Sequence, residues 1–327
     1  MKKLAIAIPT FNEHFFLEKN LDTLLPQLDT FKDEVDLYIF DNNSSDKTFL
    51  ICNKLFKKRD NCNYKKNSEN IGIFKNQLQC LQLEDYEYIH VLGSDDLIIP
   101  GSLSKILNKI KKNIYSIIYL NYYSFEKNYQ KPKSFFAPEK DVEFSRPYDL
   151  LNYPSVGHFS GFIFKTDCIK NHLDILLNKY ETSFFERHRG IIAFISAYIC
   201  SFERKKTYFV GKRYLATNYS KKTDYNSLEH LCVDYLEGHY LLFKDGVSTQ
   251  LDFDYRKNLI KKMLFKSSLR NLPFLTSKRN SEIFNDLCIY FRKDIYFVIV
   301  ITPIFMLMRV NLIKYFFLKI VNHLINK

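Results

Sequence analysis

Two adjacent carboxylates, Asp95 and Asp96, follow the apolar run Tyr88 to Leu92 and the link Gly93-Ser94. An apolar run of this length reads as a buried strand that delivers the two acids to its end. Neighbouring negative charges repel, so a cation beside or between them is what keeps both ionised. Oxygen donors of this kind favour Mg²⁺ or Mn²⁺. Another carboxylate, Asp41, ends the stretch Val35 to Phe40, which reads as a second strand. When ionised it is purely an acceptor and could take an N–H from a nucleobase. Phe11, just past the run Leu4 to Ile8, offers such a base a flat apolar face, and Lys75 offers phosphates a point charge. These groups describe a nucleoside-diphosphate site made without a glycine-rich loop. Neither G-x-G-x-x-G nor G-x-x-x-x-G-K-[ST] occurs, which disfavours a dinucleotide fold and a P-loop NTPase.

The elements that must position these groups alternate. Leu17, Leu21, Leu24, Leu25 and Leu28 recur at helical spacing after the first strand, and Phe49, Cys52, Leu55 and Phe56 after the second. Ser45 or Asp46 is placed to cap that second helix. A weak strand at Cys62 to Lys65, a helix marked by Phe74, Leu78 and Leu81, the strand before Asp95, a helix through Leu103 to Ile110 and a strand at Tyr115 to Leu120 follow. The pattern predicts an α/β fold, a mainly parallel sheet flanked by helices with right-handed crossovers. Ligands of such sheets sit beyond the carboxyl ends of the strands, where Thr10 to Glu13, Asp41 to Asp46 and Asp95-Asp96 all fall. Residues 121–148, rich in Lys and Tyr, read as a mobile loop. His158 to Phe164 reads as a strand, Lys170 to Lys179 and Arg187 to Cys200 as helices, and Tyr208 to Val210 and Arg213 to Ala216 as short strands. Beyond about residue 226 only helical patterns continue, so the limits expected are 1–225 for the catalytic domain and 226–327 for a basic helical extension.

Charge is uneven. The 327 residues carry a formal net charge of +12, and from residue 251 onward 14 Lys and Arg stand against 5 Asp and Glu. Seven cysteines without a C-x-x-C pair read as reduced thiols of a cytosolic protein. The N-terminal apolar run is too short for a signal peptide.

Four stretches taken together resemble the ordered motifs of family 2 glycosyltransferases of the GT-A fold: Ile8-Pro9-Thr10-Phe11-Asn12-Glu13, Asp41 to Thr48, Asn70-Ile71-Gly72 and Gly93-Ser94-Asp95-Asp96. The resemblance is strong over the first hundred residues and fades by about residue 220. It implies a nucleotide-diphospho-sugar donor whose nucleoside pocket is lined by Pro9, Thr10, Phe11, Glu13 and Asp41. It also implies Mn²⁺ or Mg²⁺ on Asp95 and Asp96, with Asp95 touching the donor as well. Two positions depart from the family pattern. Gly93 stands where the first acidic residue is often Asp, and Lys75 where the basic residue is commonly Arg. The resemblance further implies inverting transfer of a sugar to a glycan or lipid-linked saccharide acceptor, as in bacterial surface-glycan assembly. A general base must then reach the acceptor hydroxyl. Glu186 is the favoured residue, with Glu181 and His188 as alternatives. The chain has no Trp, so the Q-x-x-R-W motif of processive synthases is absent. Other classes that fit the acidic edge are a nucleotidyltransferase of sugar phosphates and a non-catalytic nucleotide-sugar binding protein.

The most apolar run, Ile295 to Met308, would reach about 21 Å as a helix, short of the roughly 30 Å hydrocarbon core. Pro303 falls inside it, and Arg292-Lys293, Arg309, Lys314 and Lys319 flank it. These features predict a helix lying in an anionic membrane interface, hence a cytoplasmic protein peripheral to the inner face of the cell membrane. A homo-oligomer contact through the C-terminal helices is the alternative. Nucleic acid is not an expected partner, because the basic residues punctuate apolar runs instead of forming a stripe.

Overall fold

The computed structural model describes residues 1–154, 156–187, 190–218, 234–271 and 277–308. The chain divides into two compact units, Met1–Lys221 and Lys222–Lys327. The limit expected near residue 225 falls in 219–233, outside the described residues.

The first unit opens with β1 (Lys2–Thr10), α1 (His14–Thr30), β2 (Val35–Asp41), α2 (Thr48–Phe56), β3 (Cys62–Lys66), α3 (Gly72–Leu81) and β4 (Tyr86–Val91). Each helix crosses over between parallel strands. Leu17, Leu21, Leu24 and Leu28 of α1 are fully buried, as their spacing requires. Each such side chain stabilises the fold by about 1.5–3 kcal/mol. The residue at the cap position of α2 is Lys47, without a side-chain cap, and Asp46 Oδ1 accepts the N–H of Thr48, the first residue of the helix, at 3.0 Å. The unit continues through β5 (Leu97–Ile98), α4 (Leu103–Ile110), β6 (Ile117–Phe125), β7 (Ser134–Phe135), β8 (Val142–Phe144), β9 (Phe162–Lys165), α5 (Thr166–Lys179), α6 (Thr182–Arg187), α7 (Ile192–Phe202) and β10 (Thr207–Asn218).

Among the described residues the sheet is mixed and mainly parallel, in the order β3-β2-β1-β4-β9-β6-β10-β5, with β7 on β6 and β8 on β10. Three expectations need correction. Residues 121–148 are not a loop throughout: β6 runs on to Phe125, and β7 and β8 lie within the segment. Tyr122 and Tyr123, like the rest of β6, are buried, so these tyrosines that read as loop composition are core. The two short strands near residue 210 are one strand, β10, whose register on β6 shifts between Val210 and Leu215. His158 to Gly161 is not strand but leads through a single 3-10 turn, Phe159–Gly161, into β9.

Register sets the functional edge. Thr10 of β1 lies opposite Asp41 of β2, and Ala7 opposite Val91 of β4. The chain leaves all three strands at one end. Asn12 and Asn43, in the loops just beyond β1 and β2, take positive φ of 53° and 64°, a conformation Asn tolerates better than most residues.

The second unit comprises α8 (Tyr235–Lys244), α9 (Gln250–Asn271), α10 (Ser277–Phe291), a π-helical turn at Phe297–Ile301 and α11 (Thr302–Leu307). Its core gathers Leu236, Ile260, Leu264, Leu287, Phe291 and Phe297. Among the described residues no helix is long and apolar enough to cross a membrane. Residues 309–327, with Arg309, Lys314 and Lys319, lie outside the description.

Candidate active site

Three loops converge at the ends of β1, β2 and β4, and side-chain hydrogen bonds lock them together. Asn12 Oδ1 accepts the N–H of Ser45 at 2.8 Å, and Ser44 Oγ accepts the N–H of Asn12 at 2.8 Å. The Asn42 amide donates to Asn70 Oδ1 at 2.8 Å, and its carbonyl accepts the N–H of Ile71 at 2.9 Å. Asn42 thus ties the loop after β2 to the Asn70-Ile71-Gly72 turn that starts α3. Glu13 accepts the Ser94 hydroxyl and joins the first loop to the one bearing the paired aspartates.

Within this frame the predicted nucleoside-pocket residues gather at the edge. Pro9 is half-buried and Phe11 is 42% exposed, so the Phe11 ring is open to stacking. Thr10 is buried, and its Oγ1 has no hydrogen-bond partner among the described residues. A buried hydroxyl left unpaired costs about 1–3 kcal/mol, so a polar ligand group there would relieve it. Asp41 is fully buried, bonded to the Tyr64 hydroxyl and to the Ser44 N–H at 2.8 Å. Each of its oxygens keeps a second lone pair.

The aspartate pair has a strained electrostatic setting. Burial, then the Asp96 charge, pushes the Asp95 carboxyl up to about 7. Burial also pushes Asp96 up to about 7, against the hydrogen bonds from Ser160 and the Asn218 N–H. His158 lies 3.6 Å from Asp96, and burial holds its imidazole down to about 4. At Gly93 a Cβ would stand 3.0 Å from Asp96 Oδ2 and 3.2 Å from Asp95 Oδ1, a tight approach to both carboxylates.

Two adjacent carboxylates, one buried and one half-buried, whose ionisation is resisted fit a hard divalent cation, which would hold both in the charged form. No group of three or more His, Cys, Asp or Glu is assembled for a metal among the described residues. That too is compatible with Mg²⁺-like ions, which bind through one or two carboxylates, substrate phosphates and water.

Glu186 lies near the end of α6, not before a helix. Its Oε1 accepts the Phe74 N–H of α3 at 3.1 Å, while Phe185 stacks on Phe74 at 4.5 Å between centroids. The helix end that its carboxylate meets is therefore the start of α3, and not that of its own helix. Glu181 and Lys75 line a cavity of ≈ 820 Å³ between α3 and the α5–α6 corner, with Phe74, Gln79 and Tyr180. His188 lies outside the described residues. Sequence reading missed Tyr64, Ser94, His158, Ser160 and Asn218, which touch predicted residues from 23 to 122 positions away. Lone residues at such separations leave no local pattern to find.

An open mixed sheet with an acidic edge at its parallel strand ends is the architecture of GT-A glycosyltransferases. The family model Glycosyl transferase family 2 matches residues 5–168, and the chain belongs to that family. The GalNAc(5)-diNAcBac-PP-undecaprenol beta-1,3-glucosyltransferase of Campylobacter jejuni is 30% identical over 172 residues, 52% of this chain and 54% of that protein. The chain thus spans about half the length of this curated relative. S. aureus TarS 1-349, solved with UDP-GlcNAc, superposes with a TM-score of 0.61 at 16% identity over 87% of this chain and 79% of that one. The mannosyltransferase PcManGT from Pyrobaculum calidifontis, solved with GDP-Man and Mn²⁺, gives 0.52 at 13% identity over 95% and 87%. At these identities the likeness is one of fold.

Proposed function

We propose that the chain transfers a sugar from a nucleotide-diphospho-sugar to a lipid-linked or glycan acceptor, with inversion and with a divalent cation at Asp95 and Asp96. The observation that carries this reading is the adjacent carboxylates, Asp96 buried and Asp95 half-buried, sharing one sheet edge with Thr10, Phe11 and Asp41. Phe11 stacks on the base, Asp41 and Thr10 accept and donate at its edge, and Glu13 keeps the two loops together through Ser94. Asp95 and Asp96 would hold the cation, which would offset charge on the departing diphosphate. The C. jejuni relative, named for an undecaprenol-linked substrate, supports the lipid-linked acceptor, and the Mn²⁺ complex of the archaeal neighbour supports the cation.

In the transfer, an acceptor hydroxyl oxygen attacks the anomeric carbon and forms the new C–O bond. The bond from that carbon to the diphosphate oxygen breaks, its electron pair leaving with the nucleoside diphosphate. Glu186 takes the hydroxyl proton. With Oε1 engaged by Phe74, the other oxygen is the one for that proton. Glu181 is a second reading, favoured by its place in the cavity with Tyr180 and Lys75, a site suited to an acceptor ring. Lys75 there serves the acceptor or the donor phosphate. Release of nucleoside diphosphate, measured with acceptor-bearing lipid, separates the two bases. Glu186→Gln abolishing release while Glu181→Gln retains it supports Glu186, and the reverse replaces it.

The second unit carries the membrane reading. Phe297, Ile301 and Phe305 face its core, whereas Ile295, Val298, Ile299, Met306 and Leu307 are exposed. Arg292 and Lys293 are exposed at the start of this apolar crest. A helix apolar on both sides and basic at one end suits an anionic membrane interface, which supports the reading of an enzyme peripheral to the cytoplasmic face. A dimer contact is the competing occupant.

A further inference from the structure

Ser160 is fully buried on the 3-10 turn before β9, 64 residues from Asp96. Its hydroxyl accepts the Gly93 N–H at 2.9 Å and lies 2.5 Å from Asp96 Oδ2. A hydroxyl has one proton and an ionised carboxylate has none, so that proton must point at Asp96. The Ser160 carbonyl in turn accepts the Nε2–H of His90, a fully buried residue of β4, at 2.6 Å. The other carboxylate oxygen, Oδ1, accepts the Asn218 N–H at 3.3 Å from the end of β10. Asn20 of α1 grips the backbone beneath, donating to the carbonyls of Gly93 at 3.2 Å and Asp96 at 2.5 Å.

Two segments distant in sequence therefore bond this one carboxylate, while His90 braces Ser160 and Asn20 braces the Asp96 backbone. One hydrogen bond to each oxygen fixes its rotation and leaves each a further lone pair. Full burial without a Lys or Arg partner is costly for a carboxylate, and such cost is met where a charge is to be received. Packing alone does not require this: a fold needing only a buried acceptor for Gly93 N–H and Ser160 O–H could use an uncharged side chain.

We propose that Ser160 is a positioning residue for cation binding. Held by His90, it presents the Asp96 carboxylate in the orientation that a divalent ion and the donor diphosphate require. The proposal rests on the reading of Asp95 and Asp96 as metal ligands. Ser160 touches neither donor nor acceptor and acts only through Asp96. Groups that orient a metal ligand typically cost 10–100-fold in metal affinity when removed.

The test is titration of Mn²⁺ by paramagnetic resonance in the presence of UDP, beside calorimetric titration of UDP without metal. Ser160→Ala should weaken Mn²⁺ binding by about 10–100-fold and leave metal-free UDP affinity unchanged. Ser160→Thr should recover the Mn²⁺ affinity. The near-isosteric pair Ser160→Thr and Ser160→Val, differing by the hydroxyl alone, carries the same comparison should Ser160→Ala fold poorly. Mn²⁺ affinity equal to that of the unmodified chain in Ser160→Ala, or in Ser160→Val, overturns the proposal. So does a parallel loss of metal-free UDP affinity, which marks a general structural role. Should the unmodified chain itself bind UDP but no Mn²⁺, the metal reading fails, and this outcome is distinguishable from the other two.

Discussion

Glu186 and Phe74, 112 residues apart, are joined by a hydrogen bond from the Phe74 N–H to Glu186 Oε1 at 3.1 Å. This contact docks α6 onto the first turn of α3, where unsatisfied N–H groups and the helix dipole favour a carboxylate. It exists because residue 72 has no side chain. Gly72 has φ +84°, and a Cβ there would collide with the Glu186 carboxylate.

Gly72→Ala should therefore pay twice, in backbone strain and in displacement of Glu186. We expect a loss of about 1–3 kcal/mol in stability from the left-handed backbone alone, read as a lower urea midpoint. Turnover should fall with that of Glu186→Ala, and the double variant should lose no more than the worse single one, because the two changes remove one interaction. Additive losses in turnover would separate Gly72 from Glu186.

The nucleobase platform is tested at Phe11. Its ring is 42% exposed, so truncation removes little core packing. Phe11→Ala should leave the melting temperature nearly unchanged and weaken nucleotide binding by about 1–3 kcal/mol, the range for loss of a base–aromatic stack. Calorimetric titration with the preferred nucleoside diphosphate measures this, and unaltered affinity would move the base elsewhere.

His90 gives a pH dependence. Burial holds its imidazole down to about 4, below the ordinary value near 6.5. Between those values the unfolded chain binds a proton that the folded chain does not. The His90 contribution is therefore complete above pH 6.5 and is lost as pH falls through 4. It amounts to roughly 3 kcal/mol. His90→Gln, which keeps an amide donor near the Nε2 position, should lose that much less stability than the unmodified chain between pH 7 and pH 4. Urea unfolding at both values provides the check, and equal losses would contradict the neutral assignment.

The apolar crest of the second unit is tested on vesicles. Ile299→Asp with Met306→Asp should abolish sedimentation with anionic vesicles while leaving nucleotide binding intact, since Ile299 is 67% exposed and Met306 58%. Vesicle binding that survives these changes, or a loss of dimer in their place, would assign the face to another copy of the chain.

Much of the acidic sheet edge was legible in the sequence, because short-range rules suffice there. Leu4 to Ile8 is a continuous apolar run and Val35 to Phe40 a strand-like stretch interrupted by Asp36, and each leads to polar residues placed at one sheet edge by the parallel register. The supports of those residues were not legible. Ser160 meets Asp96, and Tyr64 meets Asp41, only once the sheet has formed. The tyrosines of β6 read as loop composition because their burial depends on partners in β9 and β10. Glu186 directly precedes the helix expected from Arg187 onward, yet it lies within α6. Its actual partner, the first turn of α3, is set by the packing of Phe185 on Phe74.

The central claim is that Asp95 and Asp96 couple a divalent cation to a nucleotide-diphospho-sugar. Thermal unfolding with UDP-, GDP-, CDP- and dTDP-sugars, each with and without Mn²⁺, tests it most directly, because a ligand of the native state raises the melting temperature by mass action. One nucleotide class should raise it, Mn²⁺ should enlarge that rise, and Asp96→Asn should remove the Mn²⁺ increment while keeping the metal-free part. An increment that persists undiminished in Asp96→Asn, or no rise with any of the four donors, would contradict the account.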